Sequence, residues 1–258
     1  MTMRLLAVTT ALFAVTLSAQ EYKYLTSVAT FRVPPGKQHA FIEHGKAFVP
    51  VLDKLMDAGS VIGYGIDVDW LHVPDVNNIA FWLEAPNYEA IQKAEDAIDD
   101  FEKANPALMG DLMGMTDMDK HHDYIIRTRQ GNHHAVPAGA QPVEDEDFVK
   151  VKPGRMQDFM AMFDKYDKPV YEKLVADGTI YSYEIDTEAV HTGEPGATWT
   201  IVAMPDLGTK DKVDKAFDEA EKAIPEVERG MLEKLYLDMV VPNSHRDDLA
   251  TSVVFRLK

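Results

Sequence analysis

The sequence predicts an α+β protein made of two tandem copies of one βαββαβ unit, and three observations lead to this fold class. The first is an internal repeat, because the stretch 50–67 recurs at 169–186, and identity persists at about 17 of roughly 57 aligned positions as far as Pro225. The second is that strand-like and helix-like periodicities follow one another in the same order in both copies. The third is a proline, Pro50 and then Pro169, inside the first helical pattern of each copy.

Alternating apolar residues or β-branched runs predict four strands in the first unit, at residues 24–33, 61–72, 77–85 and 124–129. The first predicted helix carries Phe41 and Leu55 on its apolar face, and Gly59 lies where a left-handed C-cap residue is expected. Pro50 removes a hydrogen bond from this helix, so we expect a kink or a break there. A second helix with Ile91 and Phe101 on its apolar face is interrupted by Pro106.

The second unit repeats this order, with strands at residues 148–152, 179–191, 197–203 and 251–257. Its first helix ends before Gly178, and its second helix covers 210–224. The predicted organisation is a first unit at 22–130, a linker at 131–145 and a second unit at 146–258, because the linker has glycine, proline and alanine without periodicity. The order strand, helix, strand, strand, helix, strand is the ferredoxin-like one.

Two local motifs recur in both units. Each first strand is followed by a Pro-Gly-basic turn, at 35–37 and 153–155, and each first helix ends in Lys-Leu-x-x-x-Gly before a strand with a tyrosine. With these motifs the chain resembles the dimeric α/β-barrel superfamily over nearly all of its length, and it is most similar to exported, uncharacterised members. The resemblance implies that the two sheets face each other as a barrel, here within one chain. Members include monooxygenases, haem proteins, isomerases and ligand binders, so the fold does not select a function.

The N-terminus is typical of a secretory signal peptide, assigned to residues 1–19. Arg4 precedes an apolar run from Leu5 to Leu17, and the small residues Ser18 and Ala19 follow. The run is short for a membrane span, although an uncleaved anchor is the alternative. The sequence therefore predicts an exported protein, periplasmic or extracellular, that is free of the membrane after cleavage. Since it has no cysteine, neither a lipid anchor on cysteine nor a disulfide is possible.

The net charge of −17 disfavours a nucleic-acid binder, which needs a basic face. The acidic residues cluster at 95–102 and 144–147, and we interpret both clusters as solvated helix faces that keep the protein soluble. Neither cluster has the alternating Asp, Asn and Gly of a calcium-binding loop.

Residues at repeat-equivalent positions are the first candidates for a binding site. His72 and His191 end the second strand of each unit, and Tyr64 and Tyr183 lie earlier on the same strands. Their functional interpretation is a pair of equivalent small-molecule sites in which histidine acts as acid, base or ligand. The alternative is a structural histidine that closes each hairpin by hydrogen bonds to the backbone. The candidate ligand-binding set also includes two aromatic residues of the third strands, Trp82 and Trp199.

The opposite face of the second strands carries acids, Asp67 and Asp69 in one copy and Asp186 and Glu188 in the other. Basic residues occur on the first and fourth strands, namely Arg32, Lys150, Arg127 and Arg256. The simplest interpretation is cross-strand charge pairing on a half-buried face. The alternative is a polar barrel interior that binds an anionic small molecule.

One segment before the fourth strand is rich in soft metal ligands, at Met113, Met115, Met118, His121 and His122. Thioether and imidazole groups suit copper, and Cu(I) in particular. Methionine also fills irregular gaps in cores, and the equivalent segment of the second unit has fewer methionines and no histidine. Gly110 and Gly114 weaken a helix here, so an exposed mobile loop is a further possibility.

No cofactor is identified by the sequence. Haem would need an axial histidine in an apolar pocket, and His39 and His44 on the first helix have no histidine counterpart in the second copy. The leading hypothesis is an exported, non-catalytic protein, monomeric as a pseudo-dimer or homodimeric, that binds a small molecule or a partner through the barrel or its helical rim. The alternative is a monooxygenase-like or isomerase-like enzyme that uses the cavity between the sheets.

Overall fold

The computed structural model describes residues 24–71, 73, 76–190 and 195–258, and within them eight strands form one closed antiparallel barrel. The strands are β1 Leu25–Phe31, β2 Gly63–Asp69, β3 Ile79–Ala85, β4 His122–His133, β5 Val143–Lys150, β6 Ser182–Glu188, β7 Ala197–Met204 and β8 Arg246–Leu257. Each unit contributes one four-stranded sheet, in the order β4-β1-β3-β2 and β8-β5-β7-β6. This is the ferredoxin-like order in both halves, so the predicted fold class is confirmed.

The two sheets join at both edges, where β2 pairs with β8 and β4 pairs with β6. Each of these junctions contains a register shift, after Ile66 in one and after Thr128 in the other. A bulge increases local twist and bends the strand, which closure of a small barrel requires. Since every strand is paired on both sides, the barrel has no open edge.

Each sheet carries four helices on its outer face, and their bounds follow the prolines. They are α1 Gln38–Gly45, α2 Val49–Asp57, α3 Tyr88–Ala104, α4 Pro106–Met115, α5 Met156–Tyr166, α6 Lys168–Ala176, α7 Lys210–Ala223 and α8 Glu226–Met239. The expected breaks are confirmed, because Pro50, Pro169 and Pro106 each lie in the first turn of a new helix, where the missing N–H costs nothing. Gly59 and Gly178 follow α2 and α6 with φ of +77° and +75°, as a left-handed cap requires.

Some predicted bounds were wrong. Strand β4 continues through His133 and β5 begins at Val143, so residues 131–133 and 143–145 of the predicted linker belong to the barrel. The fourth strand of the second unit also begins earlier than expected, at Arg246. Most of the additional residues are polar, so they show no apolar alternation. Residues 131–133 pair with β6 of the other unit, whereas 143–145 and 246–249 pair within the second unit. Among the described residues, no helix combines the length and the apolarity needed to cross a membrane.

Alternation along the strands separates two environments. Outward side chains pack under the helices in two main apolar clusters, one per unit, in which Tyr64 and Tyr183 are almost fully buried. Inward side chains meet inside the barrel. Two cavities are described below, one between a sheet and its helices and the other inside the barrel.

Candidate functional site

A cavity of about 700 Å³ lies between the sheet and the helices of the first unit, and we call it the sheet–helix pocket. Its lining is mainly apolar, and the side chains that shape it include Phe41, Phe48, Leu52, Ile66, Phe81 and Ile98. Helix α1 approaches the sheet closely at Gly45, where an added Cβ would collide with the Phe81 ring. Phe31, Phe41 and Phe81 contact one another with ring centroids 5.2–5.5 Å apart, so the pocket has a rigid aromatic wall.

The same place in the second unit is occupied by larger side chains. At the repeat-equivalent positions, Tyr171 replaces Leu52 and Phe217 replaces Ile98. Tyr171 stacks on Tyr183 at 5.0 Å between ring centroids and meets Phe217 edge-on at 4.8 Å. Burial raises the pKa of Tyr171 well above its usual value, as expected for a ring within a packed core. The two units have therefore diverged at one position of the fold, where one leaves space and the other fills it.

Tyr64 and Tyr183, predicted as equivalent ligand-binding residues, make equivalent hydrogen bonds. The Tyr64 hydroxyl donates to Asp53 on α2 at 2.5 Å, and the Tyr183 hydroxyl donates to Glu172 on α6 at 2.7 Å. Burial, and then the carboxylate partner, raises the pKa of both phenols. Each tyrosine thus ties a helix to the sheet. Only Tyr64 also lines the sheet–helix pocket.

His72 and His191, the other equivalent pair, lie outside the described residues. His121 is the histidine that lines the sheet–helix pocket. Its ring stacks on Phe31 at 4.5 Å, its Nδ1 lies 3.1 Å from the Thr30 carbonyl oxygen, and its Nε2 lies 3.0 Å from Asp123. Glu95 on α3 adds a carboxyl that accepts a hydrogen bond from Ser27 at 3.3 Å, and burial raises its pKa.

The methionine and histidine segment is divided by the structure. It is helical as far as Met115, so the alternative of a mobile loop is wrong for 109–115. Met113, Met118 and His121 line the sheet–helix pocket, whereas Met115 packs against the apolar core and His122 faces the barrel interior. The copper hypothesis stays a prediction that now rests on three of the five residues. Titration of the reduced protein with Cu(I) against a chromogenic chelator tests it.

The residues of the sheet–helix pocket do not fit haem. An axial ligand needs an imidazole nitrogen free to face the iron. Both nitrogens of His121 already lie within hydrogen-bond distance of Thr30 and Asp123. Carboxyls of Glu95 and Glu102 line the same pocket, and burial raises the pKa of both.

The second cavity, of about 590 Å³, is the interior of the barrel, and we call it the acidic chamber. Ten carboxyl residues from five strands line it, namely Asp67, Asp69, Glu84, Glu144, Glu146, Glu184, Asp186, Glu188, Asp247 and Asp248. Trp199 lies in this chamber, and Trp82 lines both cavities because it packs across Gly65, where no side chain separates them. The two tryptophans predicted to bind a ligand therefore belong chiefly to the chamber.

Desolvation, followed by repulsion between neighbouring acids, controls the protonation of the chamber. Burial raises the pKa of Glu84 and Glu146 to about 8 and that of Asp186 to about 7. Tyr24 donates to Glu184 at 2.5 Å, and Ser252 donates to Glu144 at 2.9 Å. These hydroxyls satisfy some carboxyl oxygens, but they supply no positive charge.

The charge pairing predicted from the sequence is wrong for Asp67 and Asp186 with Arg127 and Arg256. Arg127 and Arg256 alternate with inward-facing residues and lie on the outer face, so they cannot pair with Asp67 and Asp186 across the sheet. An interior with this excess of carboxyls also opposes an anionic ligand. The 144–147 cluster, predicted as a solvated helix face, is part of β5 and alternates, with Glu144 and Glu146 inward.

A third group lies at the rim of the acidic chamber, which Asp247 also lines. Asp147, His245 and Asp247 place ligating atoms within 4.8 Å of one another, the only such His and carboxylate group among the described residues. His245 Nε2 lies 3.0 Å from Asp147 and 3.3 Å from Asp247, and these carboxylates raise its pKa against the opposing effect of desolvation. The arrangement is that of a partly exposed ion pair.

Comparison with known proteins agrees on the fold. No family model and no curated protein matches the chain. Among solved structures, the chain is similar to a candidate monooxygenase from Fusobacterium nucleatum, with TM-score 0.64, 13% identity, and 93% of this chain and 96% of that chain covered. A candidate monooxygenase from Lactobacillus acidophilus matches with TM-score 0.63, 12% identity and coverages of 92% and 97%. An anthrone oxidase-like protein matches with TM-score 0.56, 11% identity and coverages of 93% and 95%. The chain thus has the dimeric α/β-barrel fold in a tandem-duplicated form.

Proposed function

We propose that the first unit binds an apolar, ring-bearing small molecule in its sheet–helix pocket, and that the second unit serves as the structural half that closes the barrel. One observation carries this proposal: the pocket is open where Leu52 and Ile98 stand and filled where Tyr171 and Phe217 stand. A volume of about 700 Å³ lies within the roughly 300–1,000 Å³ typical of small-molecule sites. This replaces a pair of equivalent sites with a single one.

The chemistry of the lining supports the ligand class. Aromatic rings form one wall, and the flexible thioethers of Met109, Met113 and Met118 form part of another, which suits apolar ligands of irregular outline. A few polar groups, including His121, provide orientation. Export completes the proposal, since the N-terminus has the order of a signal peptide.

An exchange between the repeats tests the binding site. The double variant L52Y/I98F gives the first unit the side chains of the second, and we expect it to abolish the fluorescence increase that the neutral probe N-phenyl-1-naphthylamine shows with the parent protein. The matched control Y171L/F217I makes the reverse exchange in the second unit, and we expect it to keep the first site and to add probe binding. Unchanged probe affinity in a folded L52Y/I98F protein would refute the proposal. Native mass spectrometry of protein from its own source then identifies any retained ligand.

A second candidate function is oxidation of an anthrone-type substrate in the same pocket, as the names of the structural neighbours suggest. The observation that favours it is Glu95, whose carboxyl lines the pocket and accepts a hydrogen bond from Ser27 at 3.3 Å. As a carboxylate it could take the acidic methylene proton of anthrone, and O₂ would then oxidise the carbanion to anthraquinone with release of water. Oxygen uptake with anthrone tests this. We expect E95Q to lose uptake while keeping probe binding. If the parent protein takes up no oxygen with anthrone, the oxidase function is refuted and the binding function stands.

A further inference from the structure

The acidic chamber contains buried carboxyl oxygens that have no hydrogen-bond partner among the described residues. Asp186 is 1% exposed, and neither of its oxygens has a hydrogen-bond partner among the described residues. One oxygen of Asp67 and one of Glu84 are likewise buried without a partner. The Thr128 hydroxyl is near enough to lower the pKa of Asp186, yet it is not placed to donate. Since nearly all buried polar atoms in proteins are hydrogen-bonded, such a group requires an explanation.

The charge of the chamber is strongly one-sided. The titratable and charged groups that face it are Tyr24 before β1, Asp67 and Asp69 on β2, Glu84 on β3, His122 and Tyr124 on β4, Glu144, Glu146 and Lys150 on β5, Glu184, Asp186 and Glu188 on β6, and Arg246, Asp247 and Asp248 on β8. Strand β7 contributes the neutral Trp199. Lys150 and Arg246 both lie at the end of the chamber where β2 finishes, whereas the acids extend along its length. A cationic ligand would supply the missing counter-charge.

The aromatic lining indicates which kind of cation fits. Trp199 stacks on Tyr124 at 5.7 Å between centroids with an interplanar angle of 8°, and Phe148 meets it edge-on at 5.3 Å. An aromatic face attracts an ammonium group, whereas a hard metal ion requires oxygen ligands around most of its sphere. The chamber already holds one contact of this type, because the guanidinium of Arg246 lies 4.2 Å above the Phe148 ring. Acids alternating with rings suit an aliphatic chain with several ammonium groups.

At the end of the chamber where β2 finishes, the exposed side chains of Leu71, Val73 and Val76 line the cavity. Asp247 and Asp248 lie at the same end, beside Lys150 and Arg246. A net charge of −17 attracts cations towards the protein as a whole. An eight-stranded barrel leaves an interior wide enough for one small ligand.

We propose that the acidic chamber binds an organic polyamine, whose ammonium groups pair with the chamber carboxyls and rest on its aromatic rings. This site is separate from the sheet–helix pocket and does not depend on the function proposed for it. Binding is coupled to protons, because Glu84, Glu146 and Asp186 hold protons near neutral pH and must lose them to pair with a cation. Affinity therefore rises from pH 6 to pH 8.5, while aliphatic amines, with pKa values of about 10, stay charged.

Spermidine is the probe for the test, with tryptophan fluorescence as readout because Trp82 and Trp199 line the chamber. We expect saturable binding at constant ionic strength, at least tenfold tighter at pH 8.5 than at pH 6. Calorimetry in two buffers of different ionisation enthalpy should show proton release. The variant E84Q/D186N should weaken binding at least tenfold, whereas D57N/D100N, which removes two exposed carboxylates, should not.

Titrations with MgCl₂ and CaCl₂ separate a polyamine site from a metal site. Saturable binding of either metal that E84Q/D186N abolishes, without saturable spermidine binding, would overturn the proposal. Spermidine binding that responds equally to both double variants would also overturn it, since that result describes surface attraction only. If E84Q/D186N does not fold, E146Q takes its place under the same criteria.

Discussion

Replacement of Glu84 by glutamine should make the stability of the protein less sensitive to pH. Burial raises the pKa of Glu84 from 4.5 to about 8, and repulsion from Asp186 and Glu144 adds to the effect. A carboxyl whose folded pKa is raised stabilises the fold at low pH, and this contribution is lost as the pH rises through the folded value. Stability should therefore fall from pH 6.5 to pH 8.5 in the parent protein.

The size of the effect follows from the shift. A pH of 6.5 is about 1.5 units below the folded pKa of Glu84, so the carboxyl keeps its proton in the folded protein. In the unfolded chain the same carboxyl has lost its proton at this pH. At about 1.4 kcal/mol per unit, Glu84 alone contributes about 2 kcal/mol at pH 6.5 that is nearly absent at pH 8.5. The range from pH 6.5 to pH 8.5 lies above the titration of His133, whose pKa is lowered by burial. The contribution of His133 to the free energy of unfolding rises with pH only below 6.5. Any coupling to neighbouring acids spreads the same loss over more groups.

Urea unfolding at the two pH values, followed by circular dichroism, measures the difference. The quantity to compare is the free energy of unfolding of E84Q minus that of the parent. We expect this difference to be about 2 kcal/mol larger at pH 8.5 than at pH 6.5. The control E219Q changes an exposed carboxylate on α7 and should follow the parent at both values. A parent protein that is more stable at pH 8.5, or an E84Q difference that is independent of pH, would refute the reasoning.

Three further predictions concern two hydrogen bonds, one helix cap and the processing of the N-terminus. Replacement of Tyr64 or Tyr183 by phenylalanine should lower the free energy of unfolding by about 1 kcal/mol each, additively, since each loses one hydrogen bond in a separate unit; denaturation of both single variants and the double variant measures this. G178A should cost about 1–2 kcal/mol in the same assay because φ is +75° and no neighbouring atom lies within 4 Å, so the cost is conformational. Mature protein from the exporting cell should begin at Gln20, and an N-terminal sequence that starts at Met1 would contradict cleavage after Ala19.

Much of the fold could be predicted because the repeat and the prolines carry local information. Pro50 and Pro169 mark helix breaks by their own covalent geometry, and Gly59 and Gly178 mark left-handed caps. The barrel itself came from resemblance, and the strand order confirmed it. Strand ends at the junction between units were less predictable, because residues such as His133 are in strand only through pairing with β6.

The candidate sites were less predictable for a physical reason. Tyr64 and Tyr183 occupy equivalent positions, so the repeat suggests equivalent sites, yet the difference between a pocket and a core depends on the helical neighbours Leu52 and Tyr171. Those neighbours meet the tyrosines only after folding. The acidic chamber could not be predicted for a similar reason. Glu144 belongs to an acidic run that is typical of a surface, and only closure of the barrel turns its inward face into an interior.

Duplication within one chain explains how these two spaces can differ. In a symmetric dimer of identical units, any substitution that fills one sheet–helix pocket fills both, and any acid added to one inner face appears twice. Here Tyr171 closes one pocket without closing the other. The inner face of β5 carries Glu144 and Glu146, whereas the equivalent inner face of β1 carries Thr26 and Val28. Buried acids without partners are destabilising, and apolar residues of similar size would stabilise the barrel more. A cationic ligand in the chamber would offset that cost.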